Sequence, residues 1–393
     1  MSSTEQALCL EFKQALGSLQ HLDLREMDAL SAHRKLGQQA RAQIWRILKR
    51  RLDELGDAPQ VAEQIQQAQR ARKALLARLE RRGLNETMRE ALEQYMACLA
   101  SWADGAGLAE FRHIQLPRTV DAVDLATFLQ EDEVGCQTGV YRERDGTVIL
   151  WHTEEDMERE PGERFDKLRL FSFRAFNGRS ASGFIYPDLL PGPSFAWQAN
   201  GFAQAIDTLH VKSVDFEDAI LPNTLAWLSL YLGAQVPRAE LARQLGPFRG
   251  GYSLTAVYKK DGRVDVEKVE YANDALHVSQ LEHTAGSHLF QTNVIRDLRL
   301  PIGAQEQTSP ASRAWNEKRM ARTGRFLQVI QNAPNALALI FRMLRSRLGD
   351  DSAYANHDVK AYLVCRMAAQ EMRLWVGNGA PMAQDELFSP SNL

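Results

Sequence analysis

The chain has 393 residues, 45% of them hydrophobic and 25% charged, with a formal net charge of −3. That length allows one large core with an accessory piece or two domains, and the near balance of charge leaves no general attraction to nucleic acid or to a membrane surface. The four cysteines (Cys9, Cys98, Cys136 and Cys365) form no CxxC pair and no His/Cys spacing suited to zinc, so a reducing compartment with no metal or other cofactor is expected.

Met1-Ser2-Ser3-Thr4-Glu5-Gln6 carries an early acid and no basic stretch, and Glu11 and Lys13 break the apolar run behind it. No signal peptide is read there. No apolar run approaches the roughly 20 residues of a membrane span, and a cytoplasmic protein is expected. From about residue 4 to 103 the sequence reads as helix nearly throughout. Apolar residues recur at helical spacing through Ile44, Ile47, Leu48, Leu52, then Leu75, Leu76, Leu79, then Met88, Leu92, Tyr95, Leu99 and Trp102. Breaks fall at Gly56-Asp57-Ala58-Pro59 and at Gly83-Leu84-Asn85, where Asn85 can cap the next helix. Between Ser31 and Gly83 thirteen Lys/Arg face five Asp/Glu. Such a run is usually a solvated helix face; the functional alternative is docking of an acidic partner such as a carrier protein. A single aromatic residue, Trp45, stands among the cations, too few for the interleaving that single-strand nucleic-acid binding would favour.

The helical signal stops near Trp102 to Gly107, which divides the chain into a helical region, 1–110, and a second part, 111–393. Asp121 to Phe128 can form one more helix before the acidic run Glu131-Asp132-Glu133. The texture then turns to β: a hairpin of Gly139 to Arg142 and Thr147 to His152 around Asp145-Gly146, then strands at 168–174, 182–186, 194–197 and 202–207. Two helices follow, Pro222 to Gly233 and Arg238 to Leu245, the second led in by Pro237. Strands resume at 253–258, 264–271 and 276–281. Helices at 312–331 and 335–347 and a closing strand pair, 361–368 and 371–376, complete an α+β pattern of antiparallel sheets covered by helices.

Within this order Gly135-Cys136 stands at the opening of the first hairpin. Glycine offers no side chain to obstruct attack of the thiol on its carbonyl. If that bond is cut, Cys136 becomes an N-terminus whose α-amino group, of pKa roughly 7.7–8.0, can take the proton of a thiol of roughly 8.5. A lone cysteine is otherwise most often a small buried hydrophobe.

From Gly135 to about Phe388 the chain resembles the acyl-coenzyme A:6-aminopenicillanic acid acyltransferase family of N-terminal-nucleophile hydrolases. The resemblance rests on motifs in order. A Gly-Cys processing site matches Gly135-Cys136, and an Asn-Trp-Asp signature, its acid 18 residues after the cysteine, falls on His152-Thr153-Glu154. A Gly-Phe-Asn-Ser hairpin is similar to Ser194 to Ala203, a His-Thr-Asn strand end to Gln291-Thr292-Asn293, a Ser/Arg helix entrance to Ser309 to Arg319, and a C-terminal hairpin to Tyr362 to Pro381. The resemblance implies a four-layer αββα sandwich of antiparallel sheets behind the helical region, and self-cleavage between 135 and 136 into chains 1–135 and 136–393. Cys136 would be the nucleophile that forms an acyl thioester, Asn293 the oxyanion donor, and Glu154 the acid that orients the freed amine. The acyl group, from a small-molecule amide or thioester, would pass to water or to an amine.

The chain departs from the family at His152 and Gln291, and its helical region matches no family propeptide. His152 can face substrate or be a satisfied strand-end histidine. Arg174, Arg249 and Arg313 are candidate cations for an acidic substrate, since guanidinium forks match carboxylate and phosphate. Trp151, Trp197 and Phe290 could line an acyl pocket or belong to the core. The competing function is a non-catalytic or carrier-protein-docking interaction protein on the same scaffold.

Overall fold

The computed structural model describes residues 20–130 except 82, 135–155, 169–174, 178–199, 201–211, 218–298, 310–331, 333, 335–345 and 359–378. Its first three helices are α1 (Ala29–Glu54), α2 (Ala58–Leu79) and α3 (Glu86–Gly105), with a shorter α4 (Ala122–Leu129) behind them. Each begins where an Asp or Asn side chain accepts an otherwise orphaned N–H of the first turn: Asp28 from Ser31, Asp57 from Gln60, Asn85 from Thr87 and Asp121 from Val123 and Asp124. Helices α1 and α3 cross closely at two glycines. A β-carbon on Gly37 would run into the Trp102 carbonyl, and one on Gly105 into that of Arg34.

One element runs against the expectation of near-continuous helix. Gln20–Asp23 is a strand, β1, that pairs in parallel with Arg169–Arg174 (β4), and Leu24 continues the pairing with an N–H to the Ser172 carbonyl at 2.8 Å. Four residues are too few to show a period, and the partner lies far along the chain. Residues 1–19 lie outside the described part.

The remaining strands are β2 (Gly135–Arg142), β3 (Val148–Glu155), β5 (Ser180–Ile185), β6 (Phe195–Gln198), β7 (Phe202–Leu209), β8 (Phe248–Lys260), β9 (Arg263–Asn273), β10 (Ala275–Gln280), β11 (His288–Gln291), β12 (Val359–Met367) and β13 (Met372–Asn378). They form an eight-stranded sheet in the order β1-β4-β5-β6-β7-β8-β9-β10 and a five-stranded sheet in the order β11-β2-β3-β12-β13. Every strand pair but β1–β4 is antiparallel. Helices α5 (Pro222–Leu232), α6 (Arg238–Leu245), α7 (Pro310–Ile330) and α8 (Ala336–Arg345) complete an α+β chain. The expected strands and helices from 139 onward are present with ends moved by a few residues, the largest change being β8, which starts at Phe248 rather than 253. No described helix is long and apolar enough to cross a membrane.

Strand alternation decides which side chains meet. Val140, Val148, Leu150 and Leu363 of the small sheet pack against Phe184, Phe195, Ala203, Ala205, Val257 and Val266 of the large one. Their strand neighbours Tyr141, Ile149, Trp151, Tyr362 and Val364 pack instead against Leu327 and Ile330 of α7 and Ile340 and Phe341 of α8. On the far side of the large sheet, Phe171, Phe173, Ile206 and Leu254 share one continuous cluster with the helices, including Leu36, Ile44, Leu99, Trp102, Leu125 and Trp227. The change of texture near residue 110 therefore falls inside one apolar core.

The basic surface of the first helices is spent largely on the chain itself. Arg34 pairs with Asp104, Arg41 with Glu110 at 2.5 Å, Arg72 with Asp121 and Asp124 at 2.7 and 2.9 Å, and Arg51 with the buried Asp188 at 3.2 Å.

Candidate active site

Cys136 is the second residue of β2, in register with Glu154 of β3. The turn between those strands is local: the Asp145 carboxylate accepts the Thr147 N–H at 2.9 Å, and Gly146 takes a φ of 84° that favours glycine. On the other edge of β2 runs β11, where Gln291 is level with Thr138. Two residues further on, Asn293 comes alongside Cys136. The turn carrying it is wrapped by the Gln291 amide, which donates to the carbonyls of Thr292 at 2.8 Å and Val294 at 2.6 Å. This is what the residue that departs from the family pattern does here.

One carboxamide therefore meets both the backbone nitrogen and the thiol of Cys136. Asn293 Oδ1 accepts the Cys136 backbone N–H at 3.1 Å, while Nδ2 donates to Sγ at 3.5 Å and to the Thr208 carbonyl at 3.0 Å. The thiol donates to the Ile206 carbonyl at 3.3 Å and is 2% exposed. Burial pushes this thiol well above its ordinary value, and the charges of Asp207 and Glu154 push it further, with the Asn293 amide pulling the other way. Cys136 is thus a protonated, solvent-shielded thiol.

Glu154 shares the face of Cys136 between the two sheets. Its carboxylate accepts from the hydroxyls of Tyr186 and Ser194 and lies 2.9 Å from His152 Nε2, whose Nδ1 meets the Thr138 hydroxyl at 2.8 Å. His152 is fully buried, so it is a satisfied core histidine that holds Glu154. Arg174 lies exposed at the end of β4 and Arg313 exposed near the start of α7. Arg249 is held by Gln64 and Gln67 of α2. Trp151 and Phe290 belong to the cluster under α7 and α8, and Trp197 to the layer between the sheets.

The cation that does meet Cys136 is Arg319, which comes from α7 onto the opposite face of β2. It is 1% exposed, donates to the Cys136 carbonyl at 3.0 Å, reaches the Gln137 side chain at 3.4 Å and pairs with Glu155 at 2.8 Å. Its guanidinium also stacks 4.0 Å over the Trp315 ring. Thr153 donates to Glu155 at 3.0 Å. Adjacent acids thus split by strand parity: Glu154 turns toward the large sheet and Glu155 toward α7. Burial raises Glu155, and Arg319 opposes the rise.

A third acid, Asp207, extends the inward row Ala203, Ala205 of β7. It is fully buried, and the Thr138 hydroxyl that faces its carboxyl is turned to His152 at 2.8 Å. Burial pushes it up to about 7, with His152 the strongest pull downward. Sequence reading singled out none of Asp207, Glu155, Arg319, Tyr186 and Ser194. Arg319 ended the stretch matched to the family's helix entrance, and Tyr186 and Ser194 bracket the Pro191-Gly192-Pro193 turn; no local pattern marks Asp207. Among the described residues no group of three His, Cys, Asp or Glu is arranged to hold a metal.

No family model matches the chain, and no curated protein does. Among solved structures it is similar to a variant of conjugated bile acid hydrolase from Clostridium perfringens, at 10% identity and a TM-score of 0.32 over 61% of this chain and 92% of that one. A likeness so weak carries no weight for mechanism or substrate.

Proposed function

We propose that the protein is a self-processing cysteine amidohydrolase or acyltransferase of the N-terminal-nucleophile kind, built as a four-layer αββα sandwich. The observation that carries this reading is the Asn293 carboxamide bonded to both the amide nitrogen and the thiol of Cys136. These are the two groups such an enzyme uses as base and nucleophile.

In the first phase Cys136 Sγ attacks the Gly135 carbonyl carbon. The C–N bond breaks, the thiol proton passes by way of the buried carboxylate of Asp207 to the Cys136 nitrogen, and that nitrogen becomes an amine while Sγ is joined by an S–C thioester to Gly135. Water then hydrolyses that thioester, releasing the Gly135 carboxylate and the free thiol. In the second phase the amine takes the thiol proton, Sγ attacks the substrate carbonyl, and the leaving amine receives the proton. The acyl thioester passes its acyl group to water or to an amine. Asn293 Nδ2 stabilises the oxyanion, a donation worth about 3–4 kcal/mol in other acyl-transfer enzymes. Arg319 fixes the Cys136 carbonyl, and Glu154, steadied by His152, Tyr186 and Ser194, orients the amine.

The test is intact mass and N-terminal sequencing of purified protein before and after incubation with small acyl amides and thioesters. The expected result is a fragment beginning at Cys136 that gains an acyl mass, with Cys136→Ala remaining one chain of 44.3 kDa and unacylated. A wild-type chain that stays whole and takes up no acyl group overturns the reading. The competing interaction-protein reading, with an acidic carrier docked on the first helices, gains nothing from cations already paired within the chain.

A further inference from the structure

Leu129 and Gln130, the last described residues before Gly135, are held by more contacts than a helix end requires. Gln130, which follows α4 and is 1% exposed, uses both ends of its amide: Nε2 donates to the Asp188 carbonyl at 3.2 Å and Oε1 accepts the Leu190 N–H at 2.9 Å. Its own carbonyl accepts from Asn223 Nδ2, and Asn223 Oδ1 in turn accepts from the Tyr252 hydroxyl. One residue earlier, the Leu129 carbonyl accepts from Arg51 at 3.3 Å, and the same guanidinium pairs with Asp188. Three separate parts of the chain (α1, the 186–194 loop and α5) thus converge on two residues, and β8 steadies the third of them through Tyr252.

The 186–194 loop has a second attachment. Tyr186 and Ser194 at its two ends donate to Glu154, the register partner of Cys136. The upstream anchor and the acid beside the nucleophile are therefore built on one short segment, the anchor on its middle and the acid on its two ends.

We propose that Gln130, with Asn223 and the 186–194 loop, is a positioning clamp for self-cleavage. It fixes the chain upstream of Gly135 so that the Gly135 carbonyl carbon stays within reach of Cys136 Sγ while the strand is under attack. The proposal rests on the self-processing reading. A clamp of this kind acts on the cleavage step and has no contact with the acyl substrate, so once the bond is cut its loss should leave the released amino-thiol reactive.

The experiment follows cleavage of wild type, Gln130→Ala and Gln198→Ala by intact mass, and titrates the freed N-terminal amino-thiol with a cyanobenzothiazole. Gln198 is a matched control: it also donates two buried hydrogen bonds, to the carbonyls of Leu230 and Tyr231, outside the clamp. Gln130→Ala is expected to slow cleavage by about tenfold to a hundredfold, the cost of a misplaced reacting group, with normal cyanobenzothiazole labelling of whatever has been cut. Gln198→Ala is expected to stay within about twofold of wild type, having no share in that positioning. Equal slowing in both variants, or none in Gln130→Ala, overturns the clamp. Failure of wild type to cut overturns the self-processing reading instead. Should Gln130→Ala not fold, Asn223→Ser removes the donor to the Gln130 carbonyl and reads the same step.

Discussion

The layer between the two sheets has two ends that share the same strands and the same face, yet differ in chemistry. At one end Val140, Val148, Leu150, Leu363, Val257 and Val266 close on one another as an ordinary apolar core. At the other, the same alternation places Cys136, Thr138, His152, Glu154 and Asp207, all 2% exposed or less. Burying carboxyls beside a thiol costs stability, so this end is not there to hold the fold together. The contrast teaches that one strand pair carries both the stabilising contacts and the proposed nucleophile, and that substitutions two turns of the pleat apart should act with opposite sign.

The largest effect is expected at the apolar end. Leu150→Ala removes a fully buried side chain from between the sheets and should cost about 2–5 kcal/mol, read as a lower denaturation midpoint, while the fraction that folds still cleaves at the wild-type rate. A Leu150→Ala chain that folds with full stability but has lost cleavage would break the division of labour between the two ends.

Next in size, and opposite in sign, is Asp207→Asn. Asp207 titrates near 3.8 when unfolded and at about 7 when folded, so the folded state holds the proton more tightly. Its contribution is present below pH 3.8 and is lost as pH rises through 7. An asparagine has no such dependence. The variant should therefore be more stable than wild type by about 2–4 kcal/mol at pH 8 and no different near pH 3, measured by denaturant titration at both pH values. On the proposed self-processing it should also cleave more slowly, because the carboxylate assigned to carry the thiol proton is gone. A variant less stable than wild type at pH 8 would show that the charge at this end is compensated by contacts that burial and geometry do not reveal.

What the sequence makes visible follows the range of the interactions. Cys136 and Glu154 belong to one hairpin with a local Asp-Gly turn, so their 18-residue spacing translates directly into a cross-strand register. The alternation of that hairpin also separates Glu154 from Glu155, a consequence available from parity alone. Asn293 is reachable only through a family-like strand end, and the Gln291 amide that shapes its turn replaces the expected histidine. Asp207 and Arg319 lie beyond local reading. The first is a single acid at the end of an apolar strand that matters because another sheet packs against it. The second is one arginine among several on α7, set apart by the Cys136 carbonyl and Glu155 that it reaches on β2 and β3. Strand β1 escapes for the same reason, since its partner β4 is distant in the chain and its four residues show no periodicity.

The smallest effect tests how the polar end sets the thiol itself. The charges of Asp207 and, less strongly, Glu154 both raise the Cys136 thiol on top of burial. Removing either charge without changing shape, by Asp207→Asn or Glu154→Gln, should lower the pH at which the thiol of a whole-chain preparation reacts with a small alkylating reagent, and the shift should be larger for Asp207. Glu154→Gln carries a second consequence. A glutamine can still accept from Tyr186 and Ser194, but it offers His152 no charge, so the loss falls on the electrostatics and spares the packing. If Glu154→Gln moved the titration more than Asp207→Asn, the acid in register with Cys136 would outweigh the one packed across from it. The hairpin alone, rather than the contact between sheets, would then set the reactivity of the nucleophile.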